Sequence, residues 1–274
     1  MRIKKVWAVY FSPTGSTEKI TKTLAKSIAD GLGAELESYN YTLPESRERV
    51  LKFTSEDLVV IGTPVYAGRV PNKLLPFVQN NFEGNGALGV PVAVFGNRSY
   101  DNGLIELRNE MENNGFHTVA GGAFVSRHCM SSVLAAGRPN DEDISFIKDF
   151  GAKTADKVKS LTEIPEKIAV KGDDPVGPYY TPLEEDGKPA KFLKAKPKTY
   201  AEKCDNCGVC AKVCPMGSID FNNFAEVPGI CIKCHACVRK CHTGAKYFDD
   251  PSLKSHIAML EKNYARRAES EVFI

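Results

Sequence analysis

Short runs of β-branched and aliphatic residues alternate with longer stretches of helical periodicity as far as Lys159. Strands are predicted at about Ile3 to Phe11, Ala34 to Tyr39, Leu58 to Gly62, Pro91 to Phe95 and Thr118 to Val125. Between the first two, Ile20, Leu24, Ile28 and Leu32 recur every fourth residue and put one apolar stripe on a helix that can pack against a sheet. Leu74, Phe77 and Val78 mark a second helix, Leu104, Leu107 and Met111 a third, and Ile147 and Phe150 a fourth. This alternation is the pattern of βαβ units and predicts an α/β fold with a parallel sheet. Trp7, inside the first strand, is assigned to the core.

From Ile164 to Lys198 the periodicity dissolves into Pro165, Gly172, Pro175, Gly177, Pro178, Pro182, Gly187, Pro189 and Pro197. A structureless stretch of that length is unusual inside a compact domain. Residues 163–197 are therefore either a linker between two domains or an extended strap packed on the first. Further on, Pro251 can occupy the first turn of a helix that carries Leu253, Ile257, Leu260 and Tyr264 on one face. That helix is assigned to 251–274 and expected to pack as a lid. The chain thus divides into 1–162, 163–197, 198–250 and 251–274.

At 274 residues, two domains can each bury a core. The mean hydropathy is −0.27, and no apolar run approaches the length of a membrane span, so no bilayer is needed. The start, Met1-Arg2-Ile3-Lys4-Lys5, runs straight into a strand without a small-residue cleavage site, which suggests a cytoplasmic protein. The formal charge of +2 counts every cysteine as neutral, and the cysteines change that picture.

Eight of the nine cysteines fall between Cys204 and Cys241, and only Cys129 lies elsewhere, which argues against a disulfide framework. They form two runs, Cys204-x-x-Cys207-x-x-Cys210-x-x-x-Cys214-Pro215 and Cys231-x-x-Cys234-x-x-Cys237-x-x-x-Cys241. Three thiolates at this spacing can wrap one face of a 4Fe-4S cube, and in the bacterial two-cluster pattern the fourth cysteine of each run ligates the other cluster. That pattern assigns Cys204, Cys207, Cys210 and Cys241 to one cluster, and Cys231, Cys234, Cys237 and Cys214 to a second. Paired zinc sites are the competing reading, but tetrahedral zinc leaves no reason for a third cysteine at the same spacing. Residues Lys198 to Asp250 resemble the bacterial-type two-cluster ferredoxins, a small α+β domain. One departure is His242, which stands where the first run has Pro215; His242 is not counted as a ligand.

After the first strand comes Ser12-Pro13-Thr14-Gly15-Ser16-Thr17, at the start of the first helix. Hydroxyls and free amides there can cradle an anion, and Gly15 permits close approach. Without a Gly-x-x-x-x-Gly-Lys-Ser/Thr pattern the loop suits a phosphate monoester better than a triphosphate. A capped helix start with no ligand is the plainer alternative. Met1 to Ser160 resembles the flavodoxins, whose phosphate loop has this character. The resemblance implies a doubly wound sheet of order 2-1-3-4-5 with FMN at the carboxyl ends of its strands. It places Thr63, Pro64, Val65, Tyr66, Ala67 and Gly68 after the third strand, and Gly96, Asn97, Arg98, Ser99, Tyr100, Asp101 and Asn102 after the fourth, in the loops around the flavin ring. Tyr66 and Tyr100 are candidates to stack on that ring, or else ordinary core or surface residues. The Ala67-Gly68 peptide is a candidate to reorient on flavin reduction. Ser126-Arg127-His128-Cys129 can border the same pocket, with His128 and Cys129 assigned structural roles.

Together the two parts resemble the flavodoxin-ferredoxin fusion proteins of anaerobic microbes. Such a protein is implied to carry low-potential electrons between FMN, two 4Fe-4S clusters and redox partner proteins. No catalytic residue is assigned. With two clusters at about −2 each and a flavin phosphate at about −2, the loaded protein would carry a charge near −4, so its basicity is no argument for nucleic acid. Nor does any Gly-x-Gly-x-x-Gly fingerprint support a nicotinamide cofactor. Two rival readings are a flavin-dependent reductase of a small substrate fed by the clusters, and a redox or oxygen sensor. The oligomeric state is open, a homodimer being one option. Arg69 and Arg98 stand where flavodoxins often carry acidic groups, and positive charge favours the anionic reduced flavin. Arg98→Ala is therefore expected to make the second one-electron flavin couple more negative; a redox titration in which that couple stays put would contradict this.

Overall fold

The computed structural model describes residues 2–274. Five parallel strands form the centre: β1 (Lys5–Tyr10), β2 (Glu35–Asn40), β3 (Asp57–Pro64), β4 (Leu88–Phe95) and β5 (Gly121–Val125), in the order β2-β1-β3-β4-β5. Val6 lies opposite Leu36 on one side and Leu58 on the other, and Leu58 in turn opposite Leu88. The expected order therefore holds. Two details differ from the predicted strands. Residues His117–Thr118 pair separately with β4, ahead of β5. Trp7 is only half-buried, because its indole N–H reaches out to donate to Asp57 Oδ1 at 3.0 Å while the ring packs edge-on against Phe53.

Strand side chains alternate between two apolar layers, as a pleat requires. Val6, Ala8, Leu58, Val60 and Val90 face α1 (Ser16–Leu32) and α4 (Asp141–Ser160). Val9, Val59 and Ile61 face α2 (Leu75–Asn80) and α3 (Gly103–Asn113). The predicted stripe of α1 is buried at Ile20, Leu24 and Ile28, each worth roughly 1.5–3 kcal/mol of apolar transfer. Helix α4 starts with a capping box in which Asn140 and Asp143 bond each other's backbone N–H groups.

Within residues 163–197, the stretch from Ile168 to Tyr180 is bonded to the loops of the sheet. The Ile168 amide donates to Thr118 O, the Asp173 amide to Asn102 Oδ1, and the Tyr180 amide to Ala67 O at 2.9 Å. Arg69 stacks over Tyr179 and Arg98 over Tyr180, at 4.3 and 4.0 Å from the ring centres. Beyond the strap, Lys198–Thr199 pairs antiparallel with Lys246–Tyr247, closing the cysteine segment into a unit that holds the single-turn helices α5 (Val209–Lys212) and α6 (Ala236–Arg239).

The C-terminal segment departs from the expected helix over 251–274. Helix α7 (Pro251–Asn263) is capped by Asp250, whose carboxylate accepts from the Leu253 amide, and it packs as a lid through Met259 and Leu260. The chain then turns because Asn97 captures it: Asn97 Nδ2 donates to Tyr264 O and Arg266 O, and Asn97 Oδ1 accepts from the Ala268 amide. A last strand, β6 (Glu271–Phe273), pairs antiparallel with β5 and covers the sheet edge. Among the described residues no helix is long and apolar enough to cross a membrane.

Helices α1 and α4 cross at glycine. A Cβ on Gly151 would lie 2.5 Å from Ser27 Cβ, and one on Gly31 2.6 Å from Ala155 Cβ. Gly151→Ala should therefore lower the thermal midpoint by overpacking, at about 1–3 kcal/mol, although alanine is the better helix former. A raised midpoint in a thermal melt would contradict this packing.

Candidate functional site

The phosphate-type loop is built by the end of β1 and the start of α1. Ser12 Oγ accepts from the Glu18 amide at 2.9 Å, and the Ser12 amide donates to Thr42 Oγ1 at 2.8 Å, so Ser12 fixes the loop from below. Gly15 opens the helix at φ 95°, and a Cβ placed there would meet nothing within 4 Å. The amides of Thr14, Gly15, Ser16 and Thr17 have no acceptor among the described residues. Four free amides at the positive end of a helix, beneath open space, fit a phosphate group.

Beyond the carboxyl ends of β3 and β4 lies a cavity of about 900 Å³, whose lining does not include Ser12, Thr14, Gly15, Ser16 or Thr17. Its walls come from four parts of the chain: the loops after β3 and β4 together with His128 to Met130, the strap from Tyr179 to Lys196, the segment Pro228 to Lys233 that carries Cys231, and α7 through His256 and Leu260. The volume suits a ligand of cofactor size. Val65, Tyr66, Ala67, Gly68, Gly96 and Arg98 line it, as do Lys73, Lys194, Lys196 and Lys233, whereas no carboxylate among the described residues does. Tyr66 starts a tight turn closed by its own mutual backbone bonds with Arg69, with Ala67 and Gly68 at φ 49° and 78°. Burial pushes the Tyr66 hydroxyl well above its usual range, helped by the neighbouring thiols of Cys234, Cys129 and Cys231. Tyr66 and Cys231 of the second cysteine run thus line the same cavity.

Other expected ring contacts lie elsewhere. Tyr100 turns away from the cavity, packing on Phe95 and donating to Glu271 Oε2 at 2.9 Å, because β6 supplies its partner. Arg69 also points away; Glu106, almost fully buried, neutralises it, and Gly177 O accepts from it. Arg98 does line the cavity, but Asp101 pairs with it and offsets its charge. Asn97 and Asn102 serve the tail and the strap, and Thr63 and Pro64 belong to the end of β3, outside the cavity lining. The Ala67–Gly68 peptide could reorient only by breaking the bond from the Tyr180 amide.

Two imidazoles complete the wall. His128 Nδ1 accepts from the Met130 amide at 3.2 Å, which leaves its proton on Nε2, and its ring is pressed against Gly96. Burial, then the positive charge of His256, Arg239 and Arg98, lowers its pKa to about 4. His256 sits in α7 with Nδ1 2.8 Å from Leu183 O, and burial lowers its pKa too.

Four of the eight clustered cysteines share one cavity. Cys214, Cys231, Cys234 and Cys237 line one small enclosed cavity with Ile219, Ile230, Ile232, Phe248 and His235. Burial, then the neighbouring thiols of Cys231, Cys214 and Cys210, drives the Cys237 thiol up to about 12. Four thiols around one small cavity, two of them buried and two half-buried, fit a cluster whose iron would take their protons' place. The amides of Ser218 and Lys233 already donate to Cys214 Sγ and Cys231 Sγ at 3.3 and 3.4 Å. In the other group Cys210 is buried but Cys207 is exposed, and Cys204 and Cys241 are half-buried. His242 Nε2 lies 2.8 Å from Asp205 Oδ2, and Asp205 Oδ1 accepts from the Cys207 amide, so this histidine braces the outer loop.

Arg239, between the last two cysteines of its run, ties the halves together. Its guanidinium donates to the carbonyls of His128, Cys129 and Ser131 at 2.6–2.8 Å. Arg47 does the same near the first run, donating to Pro215 O. Neither arginine is marked by its sequence neighbours, and the strap tyrosines 179 and 180 lie in a stretch whose only local signal is proline and glycine.

Residues 8–115 match the family described as a flavodoxin domain, and residues 197–220 and 228–244 each match a 4Fe-4S binding domain. No curated protein matches the chain. Among solved structures it is similar to a flavodoxin from Archaea, at 15% identity over 57% of this chain and 99% of that one, with a TM-score of 0.43. A flavodoxin of Streptococcus pneumoniae TIGR4 aligns at 20% identity over 56% and 99%, TM-score 0.39. Rubredoxin oxygen:oxidoreductase from Desulfovibrio gigas aligns at 18% over 58% and 37%, TM-score 0.40. The family matches identify the chain as a flavodoxin-like domain followed by two 4Fe-4S ferredoxin-type segments, an electron-transfer protein whose cofactors are FMN and 4Fe-4S clusters.

Because the folded pKa of His128 lies below its ordinary value of 6.5, its neutral form contributes stability that is whole above that pH and is lost as pH falls toward 4. His128→Gln should flatten the fall in thermal midpoint across this window; equal slopes for the two proteins would contradict the assignment.

Proposed function

We propose that the chain carries electrons between an FMN in the large cavity and an external redox protein, by way of the second cysteine group and then the first. The observation that carries this reading is the shared wall: Cys231 lines the same cavity as Tyr66, Gly68, Gly96 and Arg98. FMN exchanges electrons singly or in pairs and each cluster exchanges one, so their union can couple two-electron to one-electron partners.

The residues divide the work. In this reading Ser12, Thr14, Gly15, Ser16 and Thr17 hold the phosphate, and Tyr66, Ala67 and Gly68 with Gly96 and Arg98 hold the ring. The strap keeps water off through Tyr179 and Tyr180, while Lys73, Lys194, Lys196 and Lys233 place positive charge around the cavity. The set Cys214, Cys231, Cys234 and Cys237, around the small cavity, is the inner relay. The set Cys204, Cys207, Cys210 and Cys241, with Cys207 at the surface, is the port for a partner. Residues 1–162 act as the flavin unit, 163–197 as its strap and 198–250 as the relay. Thiolate ligands that must remain reduced favour a cytoplasmic location.

Oxygen-free protein should contain about eight irons and one FMN per chain. Cys231→Ser should stop internal electron exchange between flavin and the remaining cluster, whereas Cys207→Ser should leave exchange with the inner cluster intact and slow delivery to a partner, both followed by stopped-flow absorbance. The reverse pattern would overturn the proposed order. Turnover of a small substrate by the isolated protein would instead favour a reductase.

A further inference from the structure

The two cysteine runs repeat one backbone. The residue before the second cysteine is left-handed in both, Asn206 at φ 58° and Lys233 at φ 55°, and so is the residue after it, Gly208 at φ 73° and His235 at φ 58°. Gly208 and His235 each open the short helix that carries the third cysteine. Glycine suits this conformation, so a histidine here is the exception within one molecule.

His235 is also buried, at 7% exposure, with its ring stacked on Phe248 at 4.5 Å and 19°. Its Nε2 has no hydrogen-bond partner among the described residues, whereas the imidazoles of His128 and His256 each find one on the backbone. An orphaned buried nitrogen is costly unless something absent from the protein's own atoms completes it. The ring lines the small cavity that also contains Cys214, Cys231, Cys234 and Cys237, where the remaining wall is largely apolar.

We infer that His235 donates an Nε2–H hydrogen bond to a sulfur of the cluster held by Cys214, Cys231, Cys234 and Cys237, and so raises that cluster's potential above that of its sister. This rests on the proposed function in taking those four cysteines as one cluster's ligands. A donor to sulfur favours the reduced, more negative cluster. Gly208 offers the sister site no side chain at the equivalent place. The inner relay therefore becomes the better electron acceptor of the two, and electrons from the flavin side come to rest there.

The test is an EPR-monitored redox titration of the full, oxygen-free, iron- and FMN-loaded chain beside His235→Gly, which gives the second run the backbone of the first. At fixed potential the reduced-to-oxidised ratio of one cluster should fall about tenfold, equivalent to about 59 mV for one electron, with the other cluster unmoved. Two unmoved clusters would overturn the inference. If the glycine variant loses iron, unaltered protein labelled with ¹⁵N-histidine decides the matter. Pulsed EPR should detect a weak ¹⁵N coupling on the reduced inner cluster, and its absence would overturn the inference. Failure of the underlying reading looks different: the unaltered protein would then lack its second cluster before any substitution is made.

Discussion

A guanidinium with three backbone carbonyls and no carboxylate holds this structure together. Arg239 leaves the short helix α6 and donates to His128, Cys129 and Ser131 in the loop after β5. Burial lowers its pKa, a sign that the charge is held partly out of water, and charged hydrogen bonds of about 1.5–3 kcal/mol each offset that cost. The result is geometric. The loop that carries His128 and Cys129 is tied to the helix that carries Cys237, which links one wall of the large cavity to the second cysteine run. Two units joined only by a flexible tether would have no such link.

The strap and the tail make the same constraint two-sided. Tyr180 reaches the turn at Ala67 with its amide and Arg98 with its ring, while Tyr179 takes Arg69 on its face and donates its hydroxyl to Val70 O. These contacts turn a proline-rich segment into a wall of the cavity. The tail, captured by Asn97, runs on into β6, and α7 brings His256 and Leu260 to the same space. Residues with only local roles in a lone sheet domain thus acquire long-range partners here, as Asn97, Asn102 and Tyr100 all do.

How much of this was legible in the sequence follows from how local each signal is. The sheet order, the burial of Ile20, Leu24 and Ile28, the Gly15 turn and the two separate cysteine runs all rest on short periodicities and spacings, and these were readable. The positions of Tyr100 and Arg69 were not, because their partners Glu271 and Glu106 are distant in sequence and equally polar. The strap was undecidable for a related reason: its hydrogen bonds are made by backbone amides, which every residue but proline has. The end of α7 was missed since Ala265 to Glu269 carries no helix breaker; the chain leaves the helix for Asn97, a residue in another part of the fold. His235 was visible as a letter, but its left-handed backbone and orphaned nitrogen exist only in three dimensions.

The central claim is that the flavin site and the inner cysteine set share a wall. A crystal structure of the protein purified without oxygen and fully loaded with FMN and iron measures this directly. The account predicts that the iron nearest the flavin ring is bound by Cys231 or Cys234, with Tyr66 beside the path. A nearest iron bound by Cys204, Cys207 or Cys210 would contradict it.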